Sequence, residues 1–203
     1  MMNSINTPFG LNSRGVVRLA QLRFLLFVLL LLSFISPVFA ASSEVRHQVR
    51  AQFIYNFINY VEWPDDAFET PSSSMKICLY GDVPFSSYLL SFSGSLIGER
   101  ALTFIISKAL GDVAMGCHIL YVGDDRRAEL PTFWDQIKFV YVLSLGEQEG
   151  FSDNGGVVNI MRTQDKLEFD VNISNAMANG LFLDSDLLSL ARVIKRNTKE
   201  SRD

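Results

Sequence analysis

Two short apolar runs constrain this chain more than anything else in it. Met75-Lys76-Ile77-Cys78-Leu79-Tyr80 and Cys117-His118-Ile119-Leu120-Tyr121-Val122 are mostly apolar with β-branched centres, and each stops at glycine followed by aspartate, Gly81-Asp82 and Gly123-Asp124. Runs of this kind read as buried strands closed by a turn. The chain has two cysteines, Cys78 and Cys117, one in each run. The two strands are therefore candidates for a covalent tie.

Residues 1–40 stand apart from the fold argument. Arg14, Arg18 and Arg23 precede an apolar run over 24–35, which is followed by Pro37 and the small-residue ending Val38-Phe39-Ala40. This is the pattern of a secretory signal peptide cleaved after Ala40. The apolar run is about 12 residues against the roughly 20 needed to span a bilayer, so an uncleaved anchor is the weaker reading. The expectation is a signal peptide over 1–40, export to the periplasm, no stable membrane insertion after cleavage, and one domain over 41–203.

The leader holds three of the 18 basic residues and none of the 22 acidic ones, which leaves the mature chain a net charge of −7. An acidic exported domain is a poor partner for nucleic acid or an anionic membrane surface. Export also bears on the cysteines, because an oxidising compartment favours disulfides. Two cysteines there most simply pair, and a bridge across 39 residues contributes roughly 4 kcal/mol on the loop-entropy argument. Two buried free thiols are the alternative.

Along the mature chain, residues 44–62 place Val45, Val49, Phe53, Phe57 and Val61 four apart, with Ile54 and Ile58 widening the stripe. That spacing predicts an amphipathic helix ended by Trp63-Pro64. Residues 75–80 form a strand, and Pro84-Phe85 open a helix carrying Tyr88-Leu89-Leu90. Residues 101–106 read as a third strand, 117–123 as the next, 126–137 as a helix and 139–144 as a further buried strand. Strand and helix alternate, so the fold class is α/β: a largely parallel sheet covered by helices on both faces. Residues 155–161 and 166–172 then read as a C-terminal antiparallel hairpin. Its second strand alternates Leu167, Phe169 and Val171 with Glu168, Asp170 and Asn172, so one face is expected to meet water. A last helix, capped by Asp184 or Ser185, is expected to bury Leu187, Leu190 or Ala191, and Ile194 against the sheet.

Little here points to catalysis. The chain has no glycine-rich phosphate loop and no nucleophile elbow. A Cys117–His118 dyad needs a free thiol, yet adjacent strand residues point to opposite faces. His118 reads as a hydrogen-bonded core histidine, and neither a metal site nor a cofactor is indicated. Ligands of parallel sheets sit at the carboxyl ends of the strands, so a pocket rim of Trp63, Asp82 and Phe85 is the expected ligand position.

Several blocks together carry a resemblance. They are Ala51-Gln52-Phe53-Ile54-Tyr55-Asn56-Phe57 with Val61-Glu62-Trp63-Pro64, Ile77-Cys78-Leu79-Tyr80-Gly81-Asp82 with Pro84-Phe85, and Gly98-Glu99-Arg100. Cys117-His118-Ile119-Leu120-Tyr121-Val122, Gly155-Gly156, Phe169-Asp170-Val171-Asn172 and Leu187-Leu188-Ser189-Leu190-Ala191 follow in order. In order and spacing the mature chain resembles the YfiR family of small periplasmic proteins. The resemblance implies a non-catalytic repressor that binds the periplasmic sensor domain of an inner-membrane diguanylate cyclase and so lowers cyclic di-GMP. It also implies a structural Cys78–Cys117 disulfide. A second cysteine pair found in some members is absent from this sequence, so redox control by that route does not carry over. Homodimerisation and a small-molecule regulator stay open as further partnerships. For the partner surface, the hairpin is the expectation: Glu168 and Asp170 as an acidic face bounded by the apolar Val157, Ile160 and Met161.

Overall fold

A computed structural model describes residues 23, 36–109, 111, 116–134, 141–163 and 166–196. The chain divides into two units, Met1–Arg46 and His47–Asp203. Most of the expected signal peptide lies outside the described residues. Among the described residues no helix is long and apolar enough to cross a membrane.

Helix α1 runs over Ser36–Ile58. Its buried positions are Ala51, Ile54, Phe57 and Ile58, spaced three and four apart as a core-facing stripe requires. The expected stripe began too early and ended too late. Val45 and Val49 are 58% and 51% exposed, and the helix closes at Asn59 and Tyr60, whose N–H groups turn back to Asn56 and Phe57. Val61 and Glu62 form β1 (Val61–Glu62), which pairs antiparallel with β9 (Phe182–Leu183). Val61 matches the helical spacing, but a strand partner 122 residues away takes it.

The main sheet has eight strands. Beyond those two, the chain supplies β2 (Met75–Tyr80), helix α2 (Ser86–Leu90), β3 (Leu96–Ile97), β4 (Arg100–Ser107) and β5 (Ile119–Val122). A 3-10 turn (Asp124–Glu129), helix α3 (Leu130–Phe133) and β6 (Leu143–Gly146) come next. Then follow β7 (Val158–Thr163), β8 (Lys166–Asn172), helix α4 (Ile173–Ala178), helix α5 (Ser185–Leu190) and β10 (Val193–Lys195). The strand order is β10-β8-β7-β6-β5-β2-β4-β3. Strands β4, β2, β5, β6 and β7 are mutually parallel, while β8 is antiparallel to β7 and β3 to β4. The expected α/β class and the hairpin are therefore present.

Both faces of the sheet's centre are buried because β2 and β5 are apolar on both parities. On one face Ile77, Leu79, Ile119 and Tyr121 meet the α1 stripe. On the other Cys78, Tyr80, Leu120 and Val122 meet Leu130, Phe151 and Trp134. A fully buried side chain of this size contributes about 1.5–3 kcal/mol relative to exposure.

Three expected boundaries shift and one strand is new. The strand expected over 139–144 is β6, over Leu143–Gly146; residues 139 and 140 lie outside the described residues. The helix expected over 126–137 is a 3-10 turn followed by one turn of α-helix with Pro131 in its first turn; residues 135–137 lie outside the described residues. The two-residue β3 was not anticipated. Finally, Asp184 caps α5 by accepting from the Asp186 N–H, but Ala191 is extended (φ −67°, ψ 136°), and the chain continues as β10, parallel to β8. Leu190 and Ile194 are consequently exposed, at 69% and 44%.

Cys78 and Cys117 form a disulfide, with Cα atoms 5.9 Å apart, inside the usual span. Both are buried. The expected outcome of replacing Cys78 by Ala is a loss of about 2–5 kcal/mol in urea denaturation. Thiol labelling of the denatured, unreduced wild type should detect no free cysteine.

Candidate functional site

The carboxyl ends of the parallel strands are where a ligand crevice is expected, and at β2 and β5 that crevice is filled. The Asp82 N–H donates to Asp125 Oδ1 at 2.8 Å, bringing the two turns together. Gly123 lets them touch: a Cβ there would sit 2.5 Å from the Asp82 carbonyl oxygen. Gly81 (φ +91°) would meet Asp125 and Arg126 in the same way, a backbone shape that favours glycine. The Tyr80 hydroxyl donates to Glu129, which also takes Arg126 at 3.0 Å. Burial and the neighbouring Glu129 raise the Tyr80 pKa, and the bond from Tyr80, then that from Arg126, lowers that of Glu129.

The expected rim is accordingly dispersed. Phe85 is 1% exposed and sits edge-on to Tyr121 with centroids 5.2 Å apart. Asp82 lies in the interlocked turn. The Trp63 Nε1–H donates to the Tyr141 carbonyl at 2.9 Å, which makes it a brace for Tyr141, a non-glycine residue held at φ 56°.

Two cavities lined by described residues lie elsewhere. The larger, of about 580 Å³, opens over β7, β8 and β10 beside the loop after β6. Three of the hairpin residues singled out from the sequence line it: Ile160, Met161 and Asp170. Val157 does not, being wholly buried in the same core as Ile160, which is itself 1% exposed. Glu168 is half-buried and accepts from the Thr163 hydroxyl at 3.0 Å.

Asp170 was expected to face solvent and is 3% exposed instead. The cause is β10, which the sequence disguised as the end of a helix. Arg192 Nη2 donates to Asp170 Oδ2 at 2.7 Å, and Lys195 stands 3.9 Å from the same oxygen while bonding Asp153 at 2.6 Å. Asp170 Oδ1 is buried without a hydrogen-bond partner. Sequence reasoning missed Arg192, Lys195 and Asp153; the one available signal was two cations placed after a helix that ends early.

The second cavity, of about 390 Å³, lies at the amino ends of β2 and β5 and is lined by His118, Lys76, Phe68, Asp66 and Glu69 among others. His118 is a hydrogen-bonded core histidine, as expected. Its Nδ1 accepts from the Lys76 N–H at 3.0 Å, and its Nε2 lies 3.0 Å from the Ala67 carbonyl. Because a carbonyl only accepts, the imidazole is the neutral Nε2–H tautomer. Desolvation lowers the pKa, with Lys76 and Arg100 adding to the effect against the bond to Ala67. Among the described residues no group of three or more His, Cys, Asp or Glu could hold a metal ion.

The family model DUF4154, described as YfiR/HmsC-like, matches residues 47–192. No curated protein matches the chain. A solved ABC domain in complex with L-Trp from Streptococcus pneumonia is 10% identical with a TM-score of 0.44, over 60% of this chain and 55% of that one. A conserved domain protein from Vibrio cholerae is 10% identical with a TM-score of 0.46, over 73% and 60%. The chain thus spans less than two thirds of either, and likenesses this slight carry no argument.

Replacing Arg192 by Ala strands the buried Asp170 carboxylate and should cost about 1–3 kcal/mol in urea denaturation. Arg127→Ala, which removes an exposed pair with Asp124, should change stability by less than about 0.5 kcal/mol.

Proposed function

Because the chain belongs to the YfiR/HmsC-like family, we propose that it represses an inner-membrane diguanylate cyclase from the periplasm by binding the cyclase's sensor domain, so lowering cyclic di-GMP. Membership supports a regulatory rather than a catalytic role, and the family match is the observation that carries the reading. The mechanism it calls for is steric and conformational: a bound repressor stabilises the sensor-domain state in which the cyclase is inactive, and does so only through a difference in affinity between the two states.

Exposed apolar side chains support this reading, and we take them rather than the hairpin as the proposed partner surface. Met177 on α4, Phe182 on β9, Leu190 on α5 and Ile194 on β10 are 64%, 63%, 69% and 44% exposed. These are consecutive elements, and α4 lies against both β9 and β10. Large apolar side chains left exposed on consecutive elements are what a protein contact buries. The hairpin face is a weaker place for the contact, because charge reversal at Asp170 would break a buried ion pair before it touched a partner.

A small-molecule-binding protein feeding a signalling partner is the second reading. One observation favours it: the unpartnered Asp170 Oδ1 beside the larger cavity, which a ligand N–H or O–H would satisfy. A compound acting there should raise the melting temperature of the wild type and leave that of Asp170→Asn unchanged.

The test of the repressor reading is binding of the purified mature protein to the periplasmic domain of the cyclase encoded nearest to it, followed by calorimetry. The double variant Phe182→Glu/Leu190→Glu should bind at least about tenfold more weakly, a loss of roughly 1.4 kcal/mol. Its stability should stay within about 0.5 kcal/mol of wild type, since both side chains are solvent-facing. Wild-type affinity in that variant removes the patch from the interface, and absence of any complex overturns the repressor reading.

A further inference from the structure

Residues 65–74 cross the amino end of the sheet between β1 and β2, and two side chains attach them to it, the imidazole of His118 near the start of the segment and the guanidinium of Arg100 further along. A 3-10 turn over Asp65–Ala67 leads into Phe68. The Ala67 carbonyl accepts from His118 Nε2 at 3.0 Å. The Phe68 ring stacks on His118, with centroids 4.4 Å apart and planes 15° from parallel, and Arg100 lies 3.5 Å over the same ring. Arg100 Nη1 also donates to the Thr70 and Ser73 carbonyls at 3.0 and 2.9 Å. The second cavity lies beneath this segment, with His118 and Lys76 on the sheet side and Asp66, Phe68 and Glu69 on the segment side.

His118 can keep both of its bonds in one protonation state only. The Lys76 N–H is fixed as a donor by the backbone, so Nδ1 must stay an acceptor. A proton on Nδ1 sets two donors head to head at a hydrogen-bond distance, in a site where Lys76 and Arg100 already contribute positive charge. The carboxylates of Asp66 and Glu69 line the same cavity and act in the opposite direction, giving a protonated ring somewhere to turn.

We propose that His118 is a proton-operated latch. Neutral, it clamps residues 65–74 onto β2 and β5; protonated, it surrenders the Lys76 bond, and the segment lifts from the cavity beneath it while the disulfide-tied strands stay in place. The direction follows from linkage. An unfolded histidine titrates near 6.5, and burial puts the folded value lower. The latch therefore contributes its full stabilisation above about pH 6.5 and loses it as pH falls from there through the folded value.

The test is hydrogen exchange on the oxidised mature protein at about pH 7.5 and about pH 5, with intrinsic rates corrected so that protection factors are compared. Wild type should lose roughly tenfold or more of the protection in residues 65–74 and at the Lys76 amide at the lower pH, with the rest of β2 and β5 unchanged. His118→Gln, whose amide can accept from Lys76 and donate to Ala67 without titrating, should show less than about a twofold change. Equal losses in both proteins overturn the latch and assign the effect to the carboxylates. Should the variant not fold, the His118 ring signals in the wild-type NMR titration decide: a ring that titrates while the segment keeps its protection overturns it equally.

Discussion

Everything in the main sheet depends on β2 being buried on both faces between β4 and β5. Its backbone is paired along both edges, and its two side-chain sets fill separate cores. In that position only Lys76, next to the amino end, is not buried, so the register must come from the ends of the strand. The glycines after β2 and β5 supply one end, by letting the turns touch; the disulfide and the His118–Lys76 bond supply the other. The connection between the cysteines, a sequence separation of 39, includes α2, β3 and β4, and closing it covalently fixes the central pair whatever that connection does.

How much of this the sequence discloses varies by interaction type. Apolar runs with glycine ends identify β2 and β5 to within two residues, because double-sided burial leaves Lys76 and His118, each near the start of its run, as the polar residues inside them. The hairpin is also legible, since β8 alternates. Its polar parity misleads, however: Asp170 and Asn172 are 3% and 2% exposed. Asp170 is covered by Arg192 and Lys195, and the Asn172 side chain donates to the Ser152 carbonyl at 2.9 Å. Alternation reports which residues share a face and is silent about whether other polar groups wait opposite it.

The missed elements share a different cause. β3, β9 and β10 have two or three residues each, too few for a period to show. Leu187, Ala191 and Ile194 are spaced as a helix would space them, and only the tertiary pairing of β10 with β8 overrides the pattern. The expected ligand rim failed for a related reason. Strand-end geometry locates turns, but whether they leave a gap depends on Asp125 and Arg126, whose side chains fill it. Of the candidate site, the sequence located one wall of the larger cavity, Ile160, Met161 and Asp170, and none of the cations that complete it.

The ion pair of Asp170 with Arg192 makes the interior of the hairpin conditional on the edge strand. Arg192 and Lys195 stand beside the Asp170 carboxylate because β10 runs along β8, and with them in place the charge can leave solvent without a large desolvation penalty. Peeling β10 away would expose a carboxylate that must then be hydrated. The outermost strand is thus held to the sheet by an interior acid.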